Sequence, residues 1–139
     1  MKTQLALFAG ATLLLFVAVG YAHHPFSAEY DWTKPVTIMG SVSKLEWANP
    51  HATLYVDAKD ENGKVKQWKL EMGGLAALTR AGWNRNTVKM GDQVTVEGWM
   101  SKAQNDRANV KSVKLPDGRE LAGGSSILDT QKTKAPVSN

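Results

Sequence analysis

Hydrophobic and polar residues alternate along much of the chain, in stretches bounded by residues that break regular structure. From Val36 to Trp47 (VTIMGSVSKLEW), Val36, Ile38, Gly40 and Val42 face one way and Thr37, Ser41 and Ser43 the other. A period of two is the pattern of a strand with one face buried. Gly40 in that pattern predicts a bulge or a point where the strand coils. Ala48-Asn49-Pro50 interrupts it. The alternation resumes from His51 to Ala58 (HATLYVDA), with Ala52, Leu54, Val56 and Ala58 on one face. Lys59 to Gly63 (KDENG) closes on Asn-Gly, a strong hairpin signal. Val65 to Met72 (VKQWKLEM) is then a third strand carrying Trp68 and Leu70.

The period changes after Gly73-Gly74. Leu75 to Ala81 (LAALTRA) is a run of helix formers stopped by Gly82, which predicts a short helix with Leu75 and Leu78 as its apolar stripe. A Lys89-Met90-Gly91-Asp92 turn leads into Gln93 to Met100 (QVTVEGWM), a fourth strand with Val94 and Val96 inside and Gly98 as a second coiling point. Lys102 to Ala108 reads as a polar loop and Asn109 to Leu115 (NVKSVKL) as a fifth strand. Pro116-Asp117-Gly118 turns the chain into a short Arg119-Glu120-Leu121 return. Three strands, a short helix and two strands is the order of the OB-fold, so the expected fold is mainly β: a five-stranded OB-fold-like Greek-key barrel with one helix between strands 3 and 4. An immunoglobulin-like sandwich is the alternative, but it wants about seven strands and no helix in mid-chain.

The N-terminal residues follow neither period. Lys2 precedes an uncharged stretch from Thr3 to Ala22, and Gly20-Tyr21-Ala22 supplies small residues at the −3 and −1 positions of a cleavage after Ala22. Charged start, apolar run and small-residue site predict a secretory signal peptide over 1–22. An uncleaved anchor is the competing reading on length, but no basic stop-transfer cluster follows. The expected organisation is therefore signal peptide 1–22, extended arm 23–35, barrel domain 36–123 and disordered Thr-, Lys-, Ser- and Pro-rich tail 124–139. This places the mature protein in the periplasm or outside the cell, with no stable membrane anchor after cleavage.

Composition narrows the chemistry. The chain of 139 residues has no cysteine, which excludes disulfides, thiolate zinc sites, iron–sulfur clusters and a cysteine nucleophile. Its formal charge of +4 permits an anionic partner without requiring one. No G-x-S-x-G and no glycine-rich phosphate loop occurs, and no serine or carboxylate is marked out beside a histidine, so no catalytic residue is assigned and a binding protein rather than an enzyme is expected. Glu29, Asp31 and Glu46 lie near the histidines in sequence, as surface charges or as partners of them.

All three histidines carry the sharpest candidate. Cleavage after Ala22 makes His23 the first residue, whose free amine and imidazole can chelate one metal together. A further imidazole, from His24 or His51, completes a T-shaped nitrogen set suited to copper. The competing reading is a floppy His23-His24 pair with His51 as a turn residue. A second candidate is the Asn49-Pro50-His51 triplet, which proline stiffens at the junction of strands 1 and 2 beside the usual OB ligand face. A third is an aromatic ligand face of Tyr55, Trp68 and Trp99 with Asn49 at its rim, for an unknown protein, peptide or glycan partner. Lysines nearby read as edge protection and solubility, and nucleic acid is not expected as a partner.

Several separated motifs together resemble a widespread group of small exported bacterial proteins known only as a domain of unknown function. They are Ala22 to Asp31 (AHHPFSAEYD), Gly40-Ser41-Val42 with Leu45 to His51 (LEWANPH), Leu75 to Trp83 (LAALTRAGW), Met90 to Val94 (MGDQV) and Leu115 to Arg119 (LPDGR). The resemblance spans His23 to about Ser126. Pro25 stands where that group has serine, and it stiffens the arm. The resemblance implies a periplasmic OB-like barrel and no particular activity.

Overall fold

The computed structural model describes residues 26–125. The expected signal peptide over 1–22, His23, His24 and residues 126–139 of the expected tail lie outside the described residues. The chain runs α1 (Phe26–Glu29), β1 (Tyr30–Glu46), β2 (Thr53–Lys59), β3 (Val65–Glu71), α2 (Leu75–Arg80), β4 (Gln93–Ser101), β5 (Arg107–Lys114) and β6 (Glu120–Ala122). The fold is mainly β. The strands lie in the order β3-β2-β1-β4-β5-β6, and an extra pairing of β3 with β5 closes the first five into a ring. Every pairing is antiparallel except β3–β5, which is parallel and joins only Lys69, Leu70 and Glu71 to Arg107, Ala108 and Asn109.

Each element sits where its pattern puts it, with differences at the ends. Ala52, Leu54, Val56 and Ala58 are buried as expected, with Ile38, Val42, Leu70, Val94 and Val96 against them. The Arg119-Glu120-Leu121 return is a sixth strand paired with β5, so six strands replace the five expected. A second helix, α1, precedes β1. Within the arm expected over 23–35, residues 26–29 are thus helical, and β1 begins at Tyr30 rather than Val36. The reason is a bulge: Tyr30 pairs with Ser101 and Pro35 with Trp99, which leaves 31–34 looped out and hides the alternation. Asp31 holds that loop, its carboxylate accepting the Thr33 amide at 3.0 Å and the Thr33 hydroxyl at 2.6 Å. Gly124 and Ser125, placed in the tail by composition, continue the ordered fold, and Ser125 is buried.

Both glycines expected to let strands coil are close-approach points. A Cβ on Gly40 would collide with the Asp57 carbonyl of β2, and one on Gly98 with the Asn109 carbonyl of β5. Gly98 also stands at a register shift between β4 and β5, where Lys111 is the extra residue. β1 itself serves two neighbours: its first half pairs with β4 and its second half, from Ser41, with β2.

The core extends past the strands. Trp83, in the segment after α2, is only 2% exposed and donates its indole N–H to the Ala122 carbonyl at 2.9 Å. It joins Leu78, Val88 and Leu115 in one apolar cluster.

Candidate functional site

The strands separate the aromatics expected on one ligand face. Tyr55 pairs with Lys69 and Val56 with Trp68, so Tyr55 and Trp68 point to opposite faces of the β2–β3 ladder. Trp68 is half-buried against the core, and the Lys66 ammonium lies 4.5 Å from its ring centre. Tyr55 faces outward under Lys44, 5.5 Å from its centroid, and its hydroxyl donates to Glu46 at 3.2 Å. Burial, and then the Glu46 carboxylate, raise the Tyr55 hydroxyl above the ordinary tyrosine range. Glu46 is also 2.5 Å from the Lys44 ammonium. Gln67 completes the outer face by donating to Ser43 and Asp57. Its polar groups are largely occupied with one another. Trp99 stands on β4 with the ring of Phe26 edge-on at 5.6 Å.

The Asn49-Pro50-His51 triplet links three elements. The Asn49–Pro50 peptide is cis. The Asn49 side-chain oxygen accepts the Leu75 amide at 3.0 Å, at the start of α2, where Gly74 offers no side-chain cap of its own. A residue of the β1–β2 loop thereby satisfies a helix amide left open at the N-terminus. Asn49→Ala is expected to lower stability by about 1 kcal/mol, read as a lower urea midpoint with an unchanged slope. Ala52, directly after the triplet, exchanges backbone hydrogen bonds with the residues that follow β3: its amide donates to the Gly73 carbonyl, and its carbonyl accepts from the Met72 amide.

His51 is exposed on this frame, and its Nδ1 lies 3.2 Å from the Met72 carbonyl. A neutral ring meets that carbonyl with Nδ1–H, which leaves the Nε2 lone pair free. This is the arrangement by which ligating histidines are held to one tautomer and one orientation. Among the described residues no three His, Cys, Asp or Glu side chains gather as a metal-binding group. His51 is the one histidine there, since His23 and His24 precede Phe26.

Glu71, the residue before Met72, belongs to a polar cluster that the alternation did not reveal. Tyr30 is 2% exposed, its hydroxyl donating to Glu71 at 2.9 Å and accepting from Arg107 Nε at 3.0 Å. Arg107 also reaches Glu71 at 2.8 Å and Glu29 at 3.6 Å. Burial first, and the Glu71 carboxylate second, push the Tyr30 hydroxyl well above the tyrosine range, so it stays neutral and donates. Phe26 packs on the Tyr30 ring at 5.4 Å. Lys102 fastens the same segment, its amide donating to the Glu29 carbonyl and its ammonium to that of Ser27. In sequence Arg107 reads as part of a polar loop, and Tyr30 as part of an arm without period. Only the concentration of aromatic and acidic residues in Phe26 to Asp31 hints at a packed segment.

A family model described as a family of unknown function (DUF6152) matches residues 12–110. No curated protein and no solved structure matches the chain.

Proposed function

The chain belongs to this family, DUF6152, and on that premise we propose that it is an exported periplasmic protein that binds copper on a small OB-fold-like Greek-key barrel. The ring order β1-β2-β3-β5-β4, with α2 between β3 and β4, supports the barrel. The metal reading rests on the exposed His51 ring, whose Nδ1 is tied to the Met72 carbonyl and whose Nε2 is free for a ligand bond. Signal cleavage after Ala22 supplies the other nitrogens: the amine and imidazole of His23, with His24 as the neighbouring imidazole. Nitrogen ligands of this kind suit Cu(II), which takes tetragonal sites.

The test uses protein exported and processed by the cell. Mass spectrometry should find His23 as the first residue. Competition titration with Cu(II) should then show His51→Ala binding about 100-fold more weakly than wild type, or roughly 2.8 kcal/mol. A mature chain starting elsewhere removes the N-terminal chelate. Equal affinities in the two proteins remove His51 from the ligand set.

A further inference from the structure

All five tryptophans lie among the described residues, and the fold takes up four of them. Trp83 is buried, Trp47 and Trp68 pack on the core, and Trp99 carries the Phe26 ring. Trp32 is the exception, at 62% exposed. It stands in the loop over 31–34, where β1 leaves its pairing with β4. That loop is fixed all the same. The Asp31 carboxylate accepts the Thr33 amide and hydroxyl and lies 3.8 Å from the Lys34 ammonium.

Lys34 also lines an open groove of about 650 Å³, whose other lining is the stretch 100–106. This is within the roughly 300–1,000 Å³ range of small-ligand sites. Trp32 is two residues from Lys34, a span of at most ~7 Å, so the exposed indole borders the groove. The β4–β5 connection that forms the groove is held by its backbone. Ser101 Oγ accepts the Ala103 and Gln104 amides. Lys66 donates to the Asn105 carbonyl, and the Lys69 amide donates to that of Asp106. The side chains of Gln104, Asn105 and Asp106 are exposed and make no hydrogen bond among the described residues. On the Tyr55 face the polar groups bond one another. Here the backbone is fixed and the side chains are free, which is the arrangement of a preorganised binding surface.

We infer that Trp32 and this groove form a carbohydrate site that takes a β-linked pyranose chain and uses none of the proposed copper ligands. A pyranose with equatorial hydroxyls has an apolar face of C–H groups and a rim of hydroxyls. The C–H face suits an indole, whose π face is electron-rich. Each hydroxyl donates and accepts. The carboxamides of Gln104 and Asn105 do the same, and the Asp106 carboxylate accepts. A β-1,4 linkage keeps successive rings extended, so one ring rests on Trp32 while the next reaches the groove. A peptide fits this place less well, because it needs a free strand edge or pockets for apolar anchors. β4 is already paired with β1 and β5, and β5 with β4 and β3. The groove is lined mostly by polar residues.

The test titrates processed full-length protein with cellotetraose and chitotetraose, both β-1,4-linked, and with α-linked maltotetraose. Calorimetry reads affinity, and amide shifts in nuclear magnetic resonance spectra read location. Both β-linked sugars, or one of them, should bind and shift amides in 31–34 and 101–106, with maltotetraose bound about tenfold more weakly. Trp32→Ala should weaken binding about tenfold. Asn105→Ala should weaken it about threefold while keeping the carbonyl that Lys66 holds. Val65→Thr, which removes an exposed apolar side chain at the start of β3, should bind as wild type does. No heat and no shifts with either β-linked sugar at millimolar concentration overturns the site. Shifts confined to other strands, or Trp32→Ala within about twofold of wild type, overturn its location. Equal affinity for maltotetraose overturns the stacking geometry. The titrations contain no Cu(II), so this site and the copper reading stand or fall separately.

Discussion

Gly98→Ala is expected to destabilise the protein by about 3 kcal/mol and to lower its thermal midpoint by roughly 15 °C. The added methyl points at the Asn109 carbonyl, a backbone atom on the neighbouring strand that cannot rotate away as a side chain would. Relief requires parting β4 from β5 at the place where their register already shifts between Glu97 and Gly98. Asn109 is itself buried, and it pairs with Glu71 across the β3–β5 seam, so displacement there passes into the ring closure. Differential scanning calorimetry decides the matter: a midpoint within a few degrees of wild type would mean that the strands separate freely, and the close approach would have no structural weight.

Trp83→Ala carries the larger cost, about 4 kcal/mol, because it removes an almost fully buried indole and leaves a cavity in the core cluster to which Leu78, Val88 and Leu115 also belong. Domains of this size are stable by only about 5–15 kcal/mol, so a marginal wild type would become largely unfolded at 37 °C. Trp83→Phe separates the two contributions. It keeps most of the apolar contact and gives up the indole bond to Ala122, so it should cost nearer 1 kcal/mol, since that carbonyl is at an exposed residue that water can reach. Urea unfolding of the three proteins, compared at equal slope, gives the ranking. Similar midpoints for the alanine and phenylalanine variants would show that the bond rather than the packing holds this segment.

The strands were legible because their chemistry is local. Leu54 and Val56 are buried two residues apart, and Tyr55 between them faces out, which is a property of any half-buried strand. The Asn62-Gly63 turn was legible for a similar reason: Gly63 has φ +78, a conformation the Asn-Gly pair announces. Trp83 was not legible as core. The segment from Gly82 to Asp92 has no period, and what holds Trp83 lies outside it: its amide donates to the Leu78 carbonyl of α2 and its indole N–H to the Ala122 carbonyl of β6. Neither was the early start of β1, because a loop of four residues and Pro35 interrupt the alternation that would have shown it.

The candidate site divides along the same line. His51 and Asn49 could be singled out because proline stiffens their neighbourhood, although the task the structure gives Asn49, receiving the first amide of α2, depends on a helix 26 residues further on. Glu71, Arg107 and Tyr30 each look ordinary in their own surroundings: an acid at a strand end, a base in a polar stretch and an aromatic in an arm. Their meaning lies in the parallel register of β3 and β5, which puts Glu71 two steps beyond the Lys69–Arg107 pair, and no local pattern encodes that register.

That register also orders events in time. Arg107, the partner that completes the Tyr30 bonds, follows it by 77 residues. In a chain delivered from its N-terminus, Tyr30 arrives early and waits while the hairpin, α2 and β4 all form, and the long closure makes ring completion slow relative to hairpin formation. The arm is thus among the first segments to appear and among the last to settle. A docked Tyr30 is a marker that folding has finished, and a protease that cuts near Phe26 would sample the unfinished molecules and spare the complete ones.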